Sequence, residues 1–186
     1  MSSSPLHHHR HSIRLKGWDY RSPGYYFVTI VTYQREPLFG TPEYQELAVN
    51  MMLRIPEQPH AQHLELDEFI IMPEHGHIIF NFKDYPANFD PTLPIGEFRA
   101  ALAGSLGVVV GHYKTAVTTR LNQLRRTPGE KVWQRGYYER IIRDEHHLQA
   151  TRQYILDNPI KHQDDLDKLL PRMTYHSSPN LPPRTS

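Results

Sequence analysis

The sequence predicts an α+β domain with a ferredoxin-like βαββαβ sandwich and one additional helix at its C-terminal end. Two observations carry this prediction. Short runs of aromatic and β-branched residues, typical of strands, alternate with longer segments whose apolar residues lie near helical spacing. The resulting order is strand, helix, strand, strand, helix, strand, helix, which is the ferredoxin-like order followed by an extra helix.

The first half of the domain is predicted to contain one strand, one helix and a pair of strands. Residues 25–33 are almost all aromatic or β-branched and predict a buried strand. Thr41 predicts the cap of a helix that runs to about Leu53, because proline follows it at the first helical position. Residues 64–72 and 77–82 predict two more strands, and the short segment between them indicates antiparallel neighbours.

The second half is predicted to contain a long helix, an interrupted strand and the last helix. Ser105 predicts the cap of a helix that runs to about Leu124. Residues 132–143 predict the interrupted strand, and Asp144 predicts the cap of the final helix. We expect this helix to end near Asp157, because the Asn-Pro step that follows disfavours helical geometry.

The composition limits the class of protein. The chain has no cysteine, so a metal ion must be bound by His, Asp, Glu, Asn or Gln. No apolar run approaches the roughly 18 residues that span a bilayer, and the polar N-terminus lacks the apolar core of a secretory signal. We therefore expect a cytoplasmic protein with one domain at residues 13–162. Residues 1–12 are expected to form a disordered tail, and residues 163–186 a largely disordered extension.

The net charge of +1 conceals an uneven distribution along the chain. Residues 99–143 contain nine Lys or Arg against two Asp or Glu, whereas residues 41–98 contain two against ten. The basic segment is typical of a surface that binds a polyanion. The alternative is a solvated helix face whose charges pair with the acidic segment.

Two histidines lie at the junction of the two central strands, in the sequence IMPEHGHIIF. Because alternate residues of a strand point to the same face, His75 and His77 are expected to project together and can bind one metal ion. The alternative is a pair of solvent-facing histidines, since a chain with 13 histidines contains such pairs by chance.

The last predicted helix carries a second candidate, in the sequence RQYILDNP. Tyr154 and Asn158 lie four residues apart, hence on one helix face and about one turn apart. A tyrosine nucleophile and an amide ligand in this arrangement can address the same ion. Alternatively, Tyr154 packs against the sheet and Asn158 only ends the helix. Tyr137 and Tyr138 compete as nucleophiles by residue type, but neither has that amide one turn away.

These residues occur in segments that resemble a known family. The chain contains IIMPEHGHIIF, which resembles the strand with the HUH motif of the single-tyrosine, IS200-like transposases. It also contains VWQRGYYERIIRDEHHLQATRQYILDNP, which resembles the C-terminal half of their REP-associated branch. Two further segments look like segments of that branch, SIRLKGWDYRSPGYYFVTIVTYQREPLFG and GVVVGHYKTAVTTRLNQLRRTPGE. The resemblance covers roughly residues 10–162, in matching order.

The resemblance implies a metal-dependent transposase that cleaves and rejoins single-stranded DNA at hairpin-containing, REP-like sites. It implies that His75, His77 and Asn158 bind Mg²⁺ or Mn²⁺, and that Tyr154 forms a 5′-phosphotyrosine intermediate. Such an enzyme would act in the bacterial cytoplasm, on nucleoid DNA. In the wider family the tyrosine helix can pack across a dimer, whereas a monomer is possible in this branch, so a monomer or a homodimer is expected.

A single-stranded substrate requires positive charge and aromatic side chains on the protein. The candidates for DNA contact are Lys114, Arg120, Trp133, Arg135, Arg140 and Arg143. Each also has a structural interpretation, with the tryptophan in the core and the cations solvated.

The sequence departs from the family at Gly76, where a bulky hydrophobic residue normally separates the two histidines. Because this position is expected to face the core, glycine would remove a packing anchor and loosen the strand. One alternative function is therefore a catalytically weak or inactive nucleic-acid-binding protein on the same fold. Another is a ferredoxin-like metal-binding or RNA-binding module, which leaves the long resemblance unexplained.

Overall fold

The computed structural model describes residues 15, 17–93 and 102–173, which form one antiparallel sheet and three α-helices. The strands are β1 (Gly24–Val31), β2 (Leu64–Ile71), β3 (His75–Phe82) and β4 (Tyr138–Ile142). The helices are α1 (Pro42–Leu53), α2 (Leu106–Arg125) and α3 (Glu145–Met173). The strand order is β2-β3-β1-β4 with every pair antiparallel, so the predicted fold class is confirmed. Among the described residues, no helix combines the length and the apolar character needed to cross a membrane.

The main core lies between one face of the sheet and the helices α1 and α2. Alternate residues of β1, namely Tyr26, Val28 and Ile30, are fully buried in this layer, as the two-residue period of a strand requires. Val109 and Val117 on the apolar side of α2 belong to the same cluster. Each fully buried aliphatic side chain of this kind stabilises the fold by about 1.5–3 kcal/mol. This core anchors the sheet and leaves its opposite face to carry other groups.

Helix α3 covers the opposite face through a smaller apolar cluster. The cluster contains Ile79, Ile142, Leu148 and Ile155, from β3, β4 and α3. The helix begins as predicted, because the His147 amide donates a 2.8 Å hydrogen bond to the Asp144 carboxylate. From that end it crosses the sheet and packs mainly against β2 and β3.

Helix α3 is longer than the sequence predicts. It continues to Met173 instead of ending near Asp157, so Pro159 lies inside the helix and the predicted end is wrong. A proline removes one amide donor and disfavours helical geometry before it, but it does not forbid that geometry. Ile155 and Asn158 are both buried in this turn, and their packing favours continuation of the helix.

The two predicted tails are covered only in part. Residues 163–173 of the predicted C-terminal extension belong to α3 and are helical. The predicted N-terminal tail, residues 1–12, and the end of the chain, residues 174–186, lie outside the described residues.

Gly76 faces the main core, as predicted, but it does not leave a void. A Cβ atom at this position would lie 3.0 Å from Ile71 Cδ1 and 3.3 Å from Ile30 Cγ1. The two isoleucines therefore occupy the volume that a larger side chain would need. Gly76 is also paired in register with both of them, so the strand pairing is continuous at this position.

Replacing Gly76 by leucine is expected to lower the free energy of unfolding by about 1–3 kcal/mol, because the added atoms overpack the core. Ile71→Ala should lower the free energy of unfolding less in the Gly76→Leu background than in the wild-type protein, because the leucine fills the space that Ile71 vacates. Gly111→Leu is the matched control, because Gly111 is exposed on α2 and has no atom within 4 Å of its Cβ position. Chemical denaturation measures the free energy of unfolding of Gly76→Leu, Ile71→Ala, the double variant and Gly111→Leu. Equal losses of stability in Gly76→Leu and Gly111→Leu would contradict the packing explanation.

Candidate active site

His75 and His77 lie at the start of β3, on the sheet face that α3 covers. Their ring centroids are 4.6 Å apart and the rings are inclined by 68°. His77 is 6% exposed and its ring stacks on that of Phe27, at 5.4 Å between centroids. The two imidazoles thus project together, as strand alternation predicts.

Both ring nitrogens of His77 have partners. Thr29 Oγ1 lies 2.9 Å from Nδ1, and the Tyr154 hydroxyl lies 3.3 Å from Nε2. In the tautomer with its hydrogen on Nδ1, His77 donates to Thr29 and the Tyr154 hydroxyl donates to Nε2. The contact with Thr29 follows from the β1–β3 register, in which the two residues are directly paired. The sequence contains no signal for Thr29 beyond a threonine in a strand of mainly aromatic and β-branched residues.

The surroundings keep His77 neutral. Burial, with His75 beside it, lowers the pKa of His77 to about 4. At neutral pH its ring therefore has the form in which an imidazole nitrogen binds a metal ion. His75 Nδ1 lies 3.2 Å from Glu74 Oε1, a contact that orients the second ring in the way that carboxylates orient metal-binding histidines.

Helix α3 brings Tyr154 to the histidine pair. The ring centroid of Tyr154 is 5.1 Å from that of His77 and 6.1 Å from that of Phe27. Tyr154 is nevertheless 41% exposed, so the residue lies beside His77 at the surface of the protein. Asn158 is buried and follows one turn later, about 6 Å further along the helix axis.

An ion pair fixes α3 to the edge strand β2. Arg152 Nε donates to Asp67 Oδ1 at 2.7 Å, and a second guanidinium nitrogen donates to the other carboxylate oxygen. The Asp67 side chain is only 13% exposed. Because Arg152 precedes Tyr154 by two residues, the pair helps to set the position of the tyrosine. The two partners lie 85 residues apart in the chain, so no local pattern in the sequence indicates this pair.

Replacing Arg152 by glutamine is expected to lower the free energy of unfolding by about 1–3 kcal/mol, because Asp67 loses a bidentate partner while mostly buried. The double variant with Asp67→Asn should lose less than the sum of the two single variants. Denaturation of the wild-type protein, the two single variants and the double variant gives the coupling energy. A loss of stability in the double variant equal to the sum of the two single losses would contradict a coupled pair. The exposed pair of Lys83 and Glu65 is the matched control, with an expected coupling below about 1 kcal/mol.

Two of the predicted DNA-contact residues are used inside the protein. Trp133 is 8% exposed and packs against Phe39 with 5.0 Å between ring centroids, so it belongs to the core. Lys114 Nζ donates to the carbonyls of Gln134 and Gly136, at 2.6 and 2.7 Å. Its ammonium therefore holds the backbone before β4 instead of facing a ligand.

The other four predicted DNA-contact residues are exposed, but on different parts of the surface. Arg120 lies on α2, in the layer opposite α3, and contacts Gln123. Arg135, Arg140 and Arg143 surround β4. Within the described part of the chain, no ion pair involves any of these three arginines. These three arginines therefore place positive charge on and around the edge strand β4, which is two strands from β3 in the sheet.

A second group of possible metal ligands lies at the start of α3. The ligand atoms of Asp144, His146 and His147 lie within 4.8 Å of one another, and all three residues are exposed. Asp144 already caps the helix and contacts His147 Nδ1 at 2.6 Å. The positive end of the helix dipole disfavours a cation here. His147 is about 10 Å along the helix axis from Tyr154, so this group is separate from the histidine pair of β3.

Two curated proteins of Haemophilus influenzae are similar to this chain, whereas no protein-family model matches it. One, an uncharacterised protein, is 34% identical over 168 residues, which cover 85% of this chain and 92% of that protein. The other, named "Putative REP-associated tyrosine transposase", is 25% identical over 152 residues, which cover 77% of this chain and 74% of that protein.

A solved structure shares the fold. It is the structure of a REP-associated tyrosine transposase bound to a REP hairpin, with a TM-score of 0.52 and 22% sequence identity. The match covers 76% of this chain and 69% of that one. The sequence of this chain is similar to that of a protein named as a REP-associated tyrosine transposase, and its fold is shared with a solved one. The chain therefore belongs to the IS200-like transposase family, in the branch of the REP-associated tyrosine transposases.

Proposed function

We propose that this protein is a metal-dependent transposase that cleaves and rejoins single-stranded DNA through a covalent bond to Tyr154. The observation that carries the proposal is the Tyr154 hydroxyl, 3.3 Å from His77 Nε2 of the same chain. Covalent catalysis at a metal site requires a nucleophile this close to the metal ligands. The hairpin bound to the solved relative supports a hairpin-containing DNA substrate here.

The residues at this site fit a divalent ion, Mg²⁺ or Mn²⁺. His75 and His77 would offer imidazole nitrogens from one strand face, and Asn158 would offer an amide oxygen from α3. When bound, the ion would stabilise negative charge on a phosphate oxygen. Thr29 and Glu74 would hold the two rings in place through their contacts with the Nδ1 atoms.

The role of the protein in the reaction is to supply Tyr154 as the nucleophile and later to release it. Tyr154 Oη attacks the phosphorus of the scissile phosphodiester, its proton passes to solvent, and the bond from phosphorus to the 3′ oxygen breaks. The 3′ oxygen takes up a proton, so the products are a 5′-phosphotyrosine and a free 3′-hydroxyl. Attack of another 3′-hydroxyl on the phosphotyrosine restores a phosphodiester and returns the proton to Tyr154. The net reaction is strand transfer without hydrolysis.

The surface around β4 is the proposed DNA interface. Arg135, Arg140 and Arg143 provide the positive charge that a phosphate backbone requires. Because Tyr154 reaches His77 of its own chain, one chain contains both the nucleophile and the proposed ligands. We therefore propose a monomer as the active unit, acting in the bacterial cytoplasm on nucleoid DNA.

A covalent-adduct assay tests the proposal. The protein is incubated with labelled single-stranded hairpin oligonucleotides from the DNA that flanks its gene, with Mn²⁺, with Mg²⁺ or with a chelator. The expected result is an adduct that resists denaturant, forms only with metal, and carries the nucleotide on Tyr154 in a peptide digest. DNA retardation without an adduct in either metal would contradict the proposal and favour an inactive nucleic-acid-binding protein on the same fold.

A further inference from the structure

We propose that Tyr138 and Arg140 on β4 form a subsite for a nucleotide that lies one or two positions from the scissile phosphate. The base would stack on the tyrosine ring, and a neighbouring phosphate would contact the guanidinium. This inference rests on the proposed function and adds to it the part of the site that holds the single strand beside the reacting groups.

The sheet register places Tyr138 in one row with His77. Tyr138 is paired with Thr29 across β4 and β1, and Thr29 is paired with His77 across β1 and β3. Directly paired residues of neighbouring strands project to the same face. Tyr138 and His77 therefore share one face, two strand spacings or about 10 Å apart. One or two nucleotides of an extended strand bridge such a distance.

Packing within the described residues does not account for the exposure of Tyr138. The residue is 52% exposed, and no side-chain hydrogen bond or ring contact joins it to another described residue. Its neighbour Tyr137, by contrast, is half-buried against the main core. An exposed aromatic ring on the face that carries a reactive site is typical of a binding surface.

Arg140 lies on the same face in the next row of the sheet. It is paired with Phe27, whose ring contacts both His77 and Tyr154. Two residues along a strand separate Tyr138 from Arg140, which is about 6.7 Å. A stacking ring followed by a cation at this spacing suits the alternation of base and phosphate in a single strand.

The surrounding structure leaves this part of the face accessible. Within the described residues, helix α3 packs mainly against β2 and β3, and the edge strand β4 pairs only with β1. A base must leave its stack to lie on the Tyr138 ring, so the subsite selects an unpaired nucleotide over one in a duplex. The proposed ligand is therefore single-stranded DNA next to a hairpin, and not the hairpin stem.

Fluorescence of 2-aminopurine tests the subsite in the Tyr154→Phe background, in which DNA binding is measured without cleavage. Single-stranded oligonucleotides with a flanking hairpin carry 2-aminopurine at each position in turn. We expect quenching at one position near the cleavage site. Tyr138→Ser should remove that quenching and weaken binding about 10-fold or more, whereas Tyr138→Phe should preserve both. Arg140→Gln should reduce the slope of log Kd against log salt by about one.

The outcomes separate this inference from the proposed function. Unchanged affinity and quenching in Tyr138→Ser would overturn the subsite, whether or not the wild-type protein forms an adduct. Quenching that depends on Tyr138, together with no adduct from the wild-type protein, would support the subsite and overturn the catalytic step. Failure of every oligonucleotide to bind would overturn both. Denaturation curves of Tyr138→Ser and Tyr138→Leu establish that a loss of affinity is not a loss of folding.

Discussion

Replacing Tyr154 by phenylalanine is expected to abolish adduct formation, with a rate at least about 1,000-fold below that of the wild-type protein. The substitution removes one oxygen atom and keeps the ring that packs near His77 and Phe27. We therefore expect DNA affinity to change little, and the free energy of unfolding to change by less than about 1 kcal/mol. Adduct yield against time, DNA retardation and denaturation measure the three quantities.

The matched controls are the two other tyrosines that compete by residue type. Tyr137→Phe and Tyr138→Phe should both form the adduct at nearly the wild-type rate. Tyr138 lies about 10 Å from His77 by strand spacing, whereas the Tyr154 hydroxyl lies 3.3 Å from His77 Nε2. An adduct that survives in Tyr154→Phe and disappears in Tyr138→Phe would move the nucleophile to β4 and overturn the assignment.

Replacing His77 by alanine is expected to weaken Mn²⁺ binding at least 100-fold and to prevent adduct formation. Loss of a partner that only orients a metal ligand costs about 10- to 100-fold in affinity, and here the ligand itself is removed. Thr29→Val, which removes the hydroxyl beside His77 Nδ1 with little change in volume, should therefore produce the smaller, 10- to 100-fold loss. Titration of Mn²⁺ followed by electron paramagnetic resonance measures each affinity without requiring turnover.

The exposed histidine group at the start of α3 provides the control for this second prediction. His146→Ala should leave both Mn²⁺ affinity and adduct formation unchanged, because that group lies about 10 Å along the helix from Tyr154. Loss of Mn²⁺ binding in His146→Ala, with normal binding in His77→Ala, would place the ion at the wrong end of the helix for catalysis. That result would contradict the proposed ligand set.

The environment of Gly76 bears on the choice between an active and an inactive enzyme. The sequence alone associates this glycine with a loosened strand and a weakened site. In the structure, Ile30 and Ile71 fill the space and Gly76 keeps its register with both of them. His75 and His77 on either side still project to one face. The packing thus leaves no void at Gly76, and the adduct assay distinguishes an active from an inactive enzyme.

Two predicted DNA-contact residues have distant partners inside the protein. Trp133 and Lys114 have the residue types of DNA contacts, yet one packs on Phe39 and the other binds two carbonyls. Their roles depend on how the segment before β4 folds back onto α2 and the main core. No local pattern in the sequence contains that information, because a buried indole and a stacking indole look alike in a linear chain.

The sequence by itself determined the order of the elements, the fold class and the shared face of His75 and His77. These features follow from periods of two and 3.6 residues, which are encoded within a few neighbouring positions. Only the tertiary structure decided that Thr29 orients His77, across 48 residues, and that Asp67 fixes α3 beside the site, across 85. Those contacts depend on strand register and helix placement, which the packing of the whole core selects.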